Sequence, residues 1–380
     1  FVGASTQNLA ETTVTDASKH FKAVTFSGSG SAQNVDTIGF RPDLLAIKSA
    51  TSSANFNWID SARGANELLW SNSNAATADE SSSVTGFRDE GFSVGSDTGS
   101  YVNISGQTMI AYGFKAGGAP STDNVSDSGS PGQTPTNNSV FRDGAASTTA
   151  FASANIYPTR ASIGTGLSIL KYTGNGSSDQ TLATGLTGAA HFALIKRHTA
   201  GGDWAGVWIV GSTIYSGEFN NATKETSISD QVKAFGSGTI TIDGGSANDS
   251  AAYSAYIFQN TTGLIDTGTF TGNNSTSGPF VYTGFEPAFL LVRRMDSGNG
   301  DWYLTDSGRN PYNPVTHFIR PHSATAQDSF GTASNFQVDY LSNGFRPVST
   351  NGSDWNGSGV NFCYLCIGGS SAFASNNRAR

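Results

Sequence analysis

Two similar stretches of the chain carry a carboxylate, a hydroxyl and a guanidinium at matching spacing. Residues 58–63 read WIDSAR, and residues 302–309 read WYLTDSGR. Asp60 and Asp306 could serve as catalytic carboxylates, but a general acid or base needs a second titratable partner, and none recurs beside them. Asp and Ser at a strand's end also cap backbone N–H groups, and the Arg three residues later can pair with the Asp. We therefore interpret both stretches as structural turns, in which loss of a capping interaction costs about 0.5–2 kcal/mol.

The middle of the chain supports this interpretation. Where the other two stretches have Asp-Ser, an alignment by blocks places Val210, Gly211 and Ser212, with no obvious Arg. A copy that keeps the strand and its Trp but lacks both charges indicates a structural position.

A long loop from Asn310 to Phe336 contains three prolines and two histidines, and loops of this kind often carry binding functions. His317 and His322 could be metal ligands, but no Cys or carboxylate cluster accompanies them, so we expect solvated loop histidines. The aromatic clusters near Trp70 and Trp355 could stack on sugars, and the alternative is packing in the core or on a sheet face. The predicted glycan or partner contacts are Trp355, Trp70, Tyr312, His317 and His322.

The other metal and redox candidates are predicted to be structural. Cys363 and Cys366 are the only cysteines, and in a strand residues three apart point to opposite faces, so we interpret them as small buried apolar groups rather than a redox pair. DSGNGD, from Asp296 to Asp301, is predicted to be a hairpin turn, with a calcium loop as the alternative. No metal site and no cofactor is predicted.

Three sequence blocks recur in the same order and predict a repeated β unit. The first is an aromatic residue before a glycine turn, expected to be a strand ending in a hairpin: TFSGSG, KYTGNG and TFTGNN. The second is an apolar run typical of a strand buried on both faces: GFRPDLLAIK, GLTGAAHFALIK and GFEPAFLLVR. We expect Leu45, Phe192 and Leu290 in equivalent buried strands. Each run ends on a cation that is expected to meet solvent, namely Lys48, Lys196 and Arg293.

The third block contains the tryptophans: NFNWIDSARG, GDWAGVWIVGS and GDWYLTDSGRN. The later part of each copy repeats as well, with DEGFSVGSD matching SNGFRPVST, each followed by an alternating aromatic strand. In the middle copy GSGTITIDGG and SAAYSAYIFQ take these two places. Three copies of about a hundred residues each account for most of the chain, and this size suits a single β-sandwich.

The composition agrees with a β protein and excludes two classes of partner. The 380 residues include 46 Gly and 24 Phe, and 13% are charged, which favours short strands and tight turns over long helices. A net charge of −8 with 21 Lys plus Arg excludes the basic stripe that nucleic acids require. No window reaches the ~18 apolar residues that cross a bilayer, so membrane insertion is not predicted.

Two polar segments are expected to be arms. Residues 117–138, GGAPSTDNVSDSGSPGQTPTNN, are predicted to be a flexible or extended linker. Residues 1–19 are predicted to become ordered mainly through contact with another chain, by pairing to a sheet edge. Neither segment has enough apolar side chains to offset the ~1–2 kcal/mol per residue that ordering a backbone costs. Both are therefore expected to be mobile on an isolated chain.

The order of these blocks resembles a recurrent domain in structural proteins of tailed marine phages, cyanophages especially. The resemblance covers residues 20–370 and rests on the aromatic-glycine turn, GFRPDLLAIK, WIDSARG, DEGFSVGS and YGFKAGG. Residues 137–176 look like the connector that often joins two such domains. The resemblance implies a virion surface component with a concanavalin-A-like or jelly-roll sandwich fold, and it supplies no catalytic residue.

We therefore predict an all-β protein of three tandem jelly-roll or concanavalin-A-like β-sandwich units joined by a Gly/Ser/Pro linker. The predicted segments are an N-terminal arm (1–19), unit 1 (20–118), a linker (119–139), unit 2 (140–262), unit 3 (263–372) and a tail (373–380).

The predicted function is a non-enzymatic virion structural protein on the capsid or tail, a homo-oligomer whose partners are other virion proteins. A carbohydrate-binding adhesin or receptor-binding fibre that contacts host-surface glycans is the alternative. A glycan-degrading enzyme is the third, and it would need two carboxylates about 5–10 Å apart across a groove.

Overall fold

The computed structural model describes residues 12–125, 131–222, 226–227, 231–295, 300–329, 337–350 and 355–369. Regular structure in these ranges consists of β-strands and one 3-10 helix, Ala17–Lys19. The predicted all-β class is confirmed. No helix in the described ranges is both long and apolar enough to cross a membrane.

The strands between residues 21 and 114 form two sheets, which we call the first sheet pair. They are β1 (Phe21–Ser27), β2 (Gln33–Val35), β3 (Leu44–Ser49), β4 (Asn57–Asp60), β5 (Gly64–Trp70), β6 (Ala78–Asp79), β7 (Val84–Arg88), β8 (Gly91–Val94) and β9 (Thr108–Phe114). The large sheet has the order β1-β9-β3-β4-β5-β6, and the small sheet has the order β2-β8-β7.

The second sheet pair lies between residues 140 and 258. Its strands are β10 (Val140–Arg142), β11 (Ala145–Ala146), β12 (Arg160–Gly164), β13 (Leu167–Thr173), β14 (Gln180–Ala183), β15 (Phe192–Arg197), β16 (Trp204–Val210), β17 (Thr213–Glu218), β18 (Thr226–Ser227), β19 (Val232–Gly236), β20 (Thr239–Ile242) and β21 (Ala252–Phe258). The large sheet has the order β11-β10-β12-β13-β21-β15-β16-β17-β18, and the small sheet has the order β14-β20-β19.

The third sheet pair lies between residues 265 and 368. Its strands are β22 (Ile265–Thr271), β23 (Val281–Tyr282), β24 (Pro287–Arg294), β25 (Trp302–Asp306), β26 (His317–Phe318), β27 (Asp328–Ser329), β28 (Val338–Leu341), β29 (Gly344–Pro347) and β30 (Asn361–Gly368). The large sheet has the order β22-β30-β24-β25, the small sheet has the order β23-β29-β28, and β26 pairs with β27.

One order of strand pairing occurs three times along the chain. In the large sheets it is β1-β9-β3-β4, β13-β21-β15-β16 and β22-β30-β24-β25, and in the small sheets β2-β8-β7, β14-β20-β19 and β23-β29-β28. The placement of GSGTITIDGG and SAAYSAYIFQ is confirmed, because these segments form β20 and β21. The hairpin expected after the first block is wrong: β1, β13 and β22 lie in large sheets, and the strand after each lies in a small sheet. The glycine turn therefore carries the chain from one sheet to the other.

The backbone conformation explains why each second block opens with a glycine. Gly39, Gly185 and Gly284 have φ values of 81°, 74° and 82°. Side chains with a Cβ are strained in this left-handed region, whereas glycine adopts it freely. The three turns thus enter the three central strands in the same conformation.

Each sheet pair encloses a hydrophobic cluster, and a fourth cluster lies between the pairs. In β3, Leu45 and Ile47 belong to the cluster inside the first pair, whereas Leu44 and Ala46 belong to the fourth cluster. The fourth cluster, which we call the shared core, contains side chains from all three large sheets. Because successive side chains on a strand point to opposite faces, both faces of the large sheets are covered. The predicted burial on both faces is confirmed, since every residue of β3 is buried.

Two details of the expected equivalence need correction. The three strands are equivalent, and their predicted markers Leu45, Phe192 and Leu290 are all buried. However, Phe192 faces the shared core, whereas Leu45 and Leu290 face their own sandwich interiors. The register makes Ala193 the residue equivalent to Leu45, so the expected match was displaced by one residue and hence by one face.

The described part of the N-terminal arm packs on its own chain. Val14 is 4% exposed and Ala17 is fully buried, and both belong to the shared core. The backbone N–H of Val14 donates to the carbonyl of Thr262 at 3.0 Å. For residues 12–19 the expectation of order through another chain is therefore wrong. The burial of two apolar side chains and the backbone hydrogen bonds offset the entropy cost of ordering this segment, which its polar composition did not suggest. Residues 1–11 lie outside the described residues.

The predicted linker is also attached wherever it is described. Asn124 is fully buried, its backbone N–H donates to Thr159 at 2.6 Å, and its side-chain amide donates to Gly132 and Pro158. Ser121 donates its backbone N–H to Asn138. The expectation of a mobile linker is thus wrong for residues 119–125 and 131–139. The hydrogen bonds of a buried Asn hold this segment in place of apolar contacts. Residues 126–130 lie outside the described residues.

Candidate functional site

The first Asp-Ser turn is held by one buried carboxylate. Oδ1 of Asp60 accepts hydrogen bonds from the backbone N–H groups of Ala62 and Arg63 at 3.0 and 2.9 Å. Oδ2 accepts from Nε of Arg63 at 2.6 Å, and the two side chains are 1% and 2% exposed. The predicted cap and the predicted local ion pair are confirmed, and the pair is shielded from water.

The second turn has the same design. Oδ1 of Asp306 accepts from the backbone N–H of Arg309 at 2.8 Å, and Oδ2 accepts from its Nε at 2.6 Å. The carboxylate is fully buried, and the Arg309 side chain is 3% exposed. Two equivalent strand ends therefore carry equivalent buried ion pairs.

A tyrosine from a different sheet pair completes each turn. The hydroxyl of Tyr256, on β21, donates to Oδ2 of Asp60 at 2.9 Å, and that of Tyr112, on β9, donates to Oδ2 of Asp306 at 2.8 Å. Burial is the largest cause that raises the pKa of both hydroxyls well above the usual value. Both phenols therefore stay protonated and hold the carboxylates as donors. The first turn joins the first and second pairs, and the second turn joins the third and first pairs.

Between the second and third pairs, the position that corresponds to the aspartate and its tyrosine is apolar instead. The strand register places Trp208 at the position of the two aspartates. Asp60 lies opposite Leu44, Trp208 opposite Phe192 and Asp306 opposite Phe289, and each of these partners lies four residues before the terminal cation of its strand. The alignment of Val210 to this position was therefore wrong, because β16 continues to Val210. The same register places Leu365 where the other pairs have a tyrosine. Both polar partners are thus replaced together, and Trp208 packs edge-on against Trp302 at 5.8 Å.

The three terminal cations lie inside the same junctions. Lys48, Lys196 and Arg293 are fully buried, so the expectation that they meet solvent is wrong. The reason is that a loop or strand end of a neighbouring sheet pair covers each one. Nζ of Lys48 donates to the carbonyl of Ser323 at 3.1 Å, Nζ of Lys196 to Asn74 at 3.0 Å, and Nη1 of Arg293 to Glu218 at 3.1 Å.

These contacts arrange the sheet pairs in a closed ring. The first pair reaches the third through Lys48, the second reaches the first through Lys196, and the third reaches the second through Arg293. The indole N–H groups follow the same sense, since Trp204 donates to Trp70 and Trp302 donates to Glu218. The charged groups that the sequence singled out therefore form hydrogen bonds between sheet pairs.

Burial and neighbouring charges shift the pKa values of the side chains in the junctions. Burial is the largest single effect on the pKa of Arg63 and lowers it, but Asp60 and Tyr256 together leave that pKa raised. Burial lowers the pKa of Lys48 and Lys196 to about 8. Burial, with Arg63 nearby, lowers the pKa of His198 to about 3, so this histidine is neutral at pH 7. A dry pair with a permanently charged arginine is a structural contact rather than a proton-transfer site.

The predicted loop residues lie in three different environments. Tyr312 is 79% exposed, as a contact residue requires. His317 is partly buried, and burial lowers its pKa. Nε2 of His322 lies 3.2 Å from Oδ1 of Asp301, and its side chain is 10% exposed, so it is bound within the chain rather than solvated. Arg320 bonds the same carboxylate at 2.9 Å.

The two predicted tryptophan contacts separate as well. Trp355 is 1% exposed within the cluster of the third pair, and its indole N–H donates to Gln337 at 3.1 Å. It is therefore a core residue in this chain, and its prediction as a surface contact is wrong because the small sheet covers it. Trp70 is partly exposed, stacks on Tyr101 at 5.6 Å and donates to Asn57 at 3.0 Å. The structure does not bring the five predicted residues together.

The two cysteines follow the sequence interpretation. Cys363 belongs to the shared core and Cys366 to the cluster of the third pair, so they occupy opposite faces of β30 without a disulfide. Within the described ranges no group of three or more His, Cys, Asp and Glu side chains could hold a metal ion. Residues 296–299 of the calcium-loop candidate lie outside the described residues.

A cleft of about 440 Å³ opens beside the second sheet pair. Its polar lining includes Arg142, Asp143, Gln259 and Asn260, and among the described residues Asp143 is the one carboxylate that lines it. Hydrolysis by a paired acid and base would need two. None of the predicted site residues lines this cleft.

Sequence reasoning missed a buried asparagine that recurs in all three pairs. Asn103, Asn248 and Asn356 are 1% exposed or less, and each side-chain oxygen accepts a backbone N–H from the glycine turn of the first block. A Cβ on the glycine of that turn would lie 2.1–2.5 Å from a carbonyl oxygen beside the asparagine: Gly28 against Ile104, Gly174 against Asp249, and Gly272 against Gly357. The available signal was an Asn at a similar distance before each last strand.

Comparison with known proteins identifies a family for most of the chain. No curated protein and no solved structure shows significant similarity to the chain. One family model matches residues 16–150 and again residues 140–370, which together span most of the chain. The chain therefore belongs to the family described as "Domain of unknown function (DUF7483)".

Proposed function

We propose that this chain is a non-enzymatic structural protein of a tailed-phage virion, displayed on the capsid or tail surface. The observation that carries the proposal is the ring of three sheet pairs around one shared core. The charged groups that the sequence singled out, Asp60, Asp306 and Lys48, are engaged in contacts at its junctions. The order of sequence blocks, which resembles domains of marine phage structural proteins, supports the virion assignment.

In this proposal, the three sheet pairs are tandem jelly-roll or concanavalin-A-like β-sandwich units with the boundaries given above. The matching strand orders and the separate cluster inside each pair support this description. Three fused units present three sets of loops in fixed mutual positions, which suits a rigid surface component that contacts other virion proteins and copies of itself.

The test is whether the chain is a stoichiometric part of the particle. Virions purified by density gradient are digested, and the peptides of this chain are quantified against a capsid protein. We expect a fixed ratio between preparations and labelling of intact particles by an antibody to the chain. Absence from purified particles contradicts the proposal. Hydrolysis of a polysaccharide that Asp60→Asn abolishes without unfolding would support an enzyme instead.

A further inference from the structure

Exposed aromatic side chains are concentrated in the third sheet pair. Among the described residues, the large apolar side chains that are at least half exposed are Val125, Phe280, Tyr282 and Tyr312. Phe280 and Tyr282 are 50% and 66% exposed and flank Val281, which is buried in the cluster of the third pair. Because side chains alternate along a strand, both rings lie on the outer face of the small sheet.

The other two sheet pairs show that the fold does not require these rings. Val281 lies opposite Phe345, as Val35 lies opposite Phe92 in the first pair. The positions that flank Val35 are Asn34 and Asp36, and both are exposed. In the second pair the corresponding residues are Thr181 and Ala183. The aromatic pair is thus particular to the third sheet pair.

Both rings lie close to glycine backbone. A Cβ on Gly344 would lie 3.1 Å from Cε2 of Phe280, and a Cβ on Gly284 would lie 3.5 Å from the hydroxyl oxygen of Tyr282. The Phe280 ring therefore lies close to the backbone of β29, and the Tyr282 ring lies close to the turn that precedes β24. Exposed rings arranged in this way offer a shallow apolar surface to a flat ligand.

A polar pair adjoins the rings on the same face. The register that places Tyr282 opposite Gly344 places Phe280 beside Arg346, and Arg346 lies opposite Asp339. Nη2 of Arg346 donates to Oδ2 of Asp339 at 2.8 Å, with side chains 39% and 18% exposed. The face therefore offers both donors and acceptors with no net charge from this pair.

Size and charge decide what the face can bind. Complete coverage of two aromatic side chains buries at most about 300–500 Å². A stable protein partner covers about 800 Å² with a fully buried apolar centre. A sugar ring has one apolar C–H face and a rim of hydroxyls, which match an aromatic ring beside a donor and an acceptor. The compensated charge of Arg346 favours an uncharged sugar over an anionic one.

We propose that the outer face around Phe280 and Tyr282 is a binding site for neutral pyranose saccharides. The two rings stack on the C–H faces of successive sugar units, and Arg346 and Asp339 bond their hydroxyls. This inference goes beyond the structural role, since a particle component can fulfil that role without a sugar site.

The experiment compares the full chain with a variant that carries the residues of the first sheet pair, Phe280→Asn with Tyr282→Asp. The probes are hexasaccharides of β-1,4-glucose, α-1,4-glucose and β-1,4-mannose, with an oligoglucuronate as the charged control, measured by titration calorimetry. Val125→Ala is the matched control, because Val125 is an exposed apolar side chain outside the third sheet pair, and Tyr312→Ala tests the loop contact that the sequence predicted. Thermal unfolding verifies that each variant folds.

We expect the unaltered chain to bind at least one neutral probe and the double variant to bind it at least tenfold more weakly at an unchanged Tm. Val125→Ala should bind as the unaltered chain does. Failure to bind any neutral probe, equal binding by the double variant, or preference for the oligoglucuronate overturns the proposal. Loss of binding in Tyr312→Ala alone moves the site to the loop. Self-association that the double variant abolishes shows that the face is a protein contact instead. None of these results depends on whether the chain is part of a particle.

Discussion

The stability loss caused by Asp60→Asn shows whether the first Asp-Ser turn depends on a capping interaction alone or on a buried ion pair. Asn keeps an oxygen at Oδ1 that can accept from the N–H groups of Ala62 and Arg63, so most of the cap remains. What disappears is the charge opposite a guanidinium that is 2% exposed. Leaving one member of a buried pair without its partner costs about 3–5 kcal/mol, whereas loss of a cap costs about 0.5–2 kcal/mol.

The lower part of that range is expected here. Arg63 retains hydrogen bonds to the carbonyls of Glu67 and Trp58 and to the hydroxyl of Thr77, which partly stabilise the uncompensated charge. We therefore expect Asp60→Asn to lower the free energy of unfolding by about 3 kcal/mol. This corrects the smaller loss that the sequence suggested, because the sequence did not show that the pair is dry.

The assay is urea unfolding followed by tryptophan fluorescence, with the loss calculated from the midpoint at an unchanged m-value. The control is Asp60→Asn combined with Arg63→Met, which removes both charges and keeps an apolar stem of similar length. Removing both members of a buried pair is often close to neutral, so the double variant should recover at least half of the loss. A single-variant loss below about 2 kcal/mol, or no recovery in the double variant, refutes the reasoning.

Three further predictions concern the turn, the arm and the junction lysines. Gly28→Ala should strongly destabilise the fold, because the new Cβ would lie 2.1 Å from a carbonyl oxygen, whereas Gly86→Ala, which meets nothing within 4 Å, should change Tm little; equal Tm losses would contradict this. A truncation that begins at His20 should lower the urea midpoint, because it removes Val14, whose burial stabilises the fold by about 1.5–3 kcal/mol; an unchanged midpoint would show that residues 12–19 contribute nothing. Because burial on folding lowers the pKa of Lys48 from its ordinary 10.5 to about 8, the unfolded chain binds more protons than the folded chain between these two values, so this lysine makes stability rise with pH there. The urea midpoint at pH 9.5 minus the urea midpoint at pH 7.5 should therefore be smaller in Lys48→Met than in the unaltered chain. An identical pH dependence in the two proteins would contradict the assignment.

The local structure was largely encoded in short stretches of sequence. Glycine at positions such as Gly39 specifies a left-handed turn wherever the chain is placed. A continuous apolar run such as LLAI, at the start of β3, specifies a strand with both faces covered, because an alternating pattern would suffice for one covered face. The Asp-Arg pairing in each turn was predictable for the same reason, since its members are three residues apart. The recurring order of these blocks indicated one strand order used three times.

The candidate site depended on contacts between residues far apart in the chain. Tyr256 is 196 residues from Asp60, and no periodicity links a carboxylate in one sheet pair to a hydroxyl in another. A lysine at a strand's end is usually solvated, and only the covering loop at Ser323 makes Lys48 a buried junction residue. Trp355 similarly has the residue type of a sugar contact but is covered by its own small sheet. Local patterns determine which face of a strand is apolar, whereas the packing of the three large sheets determines what covers that face and therefore which polar groups are left for function.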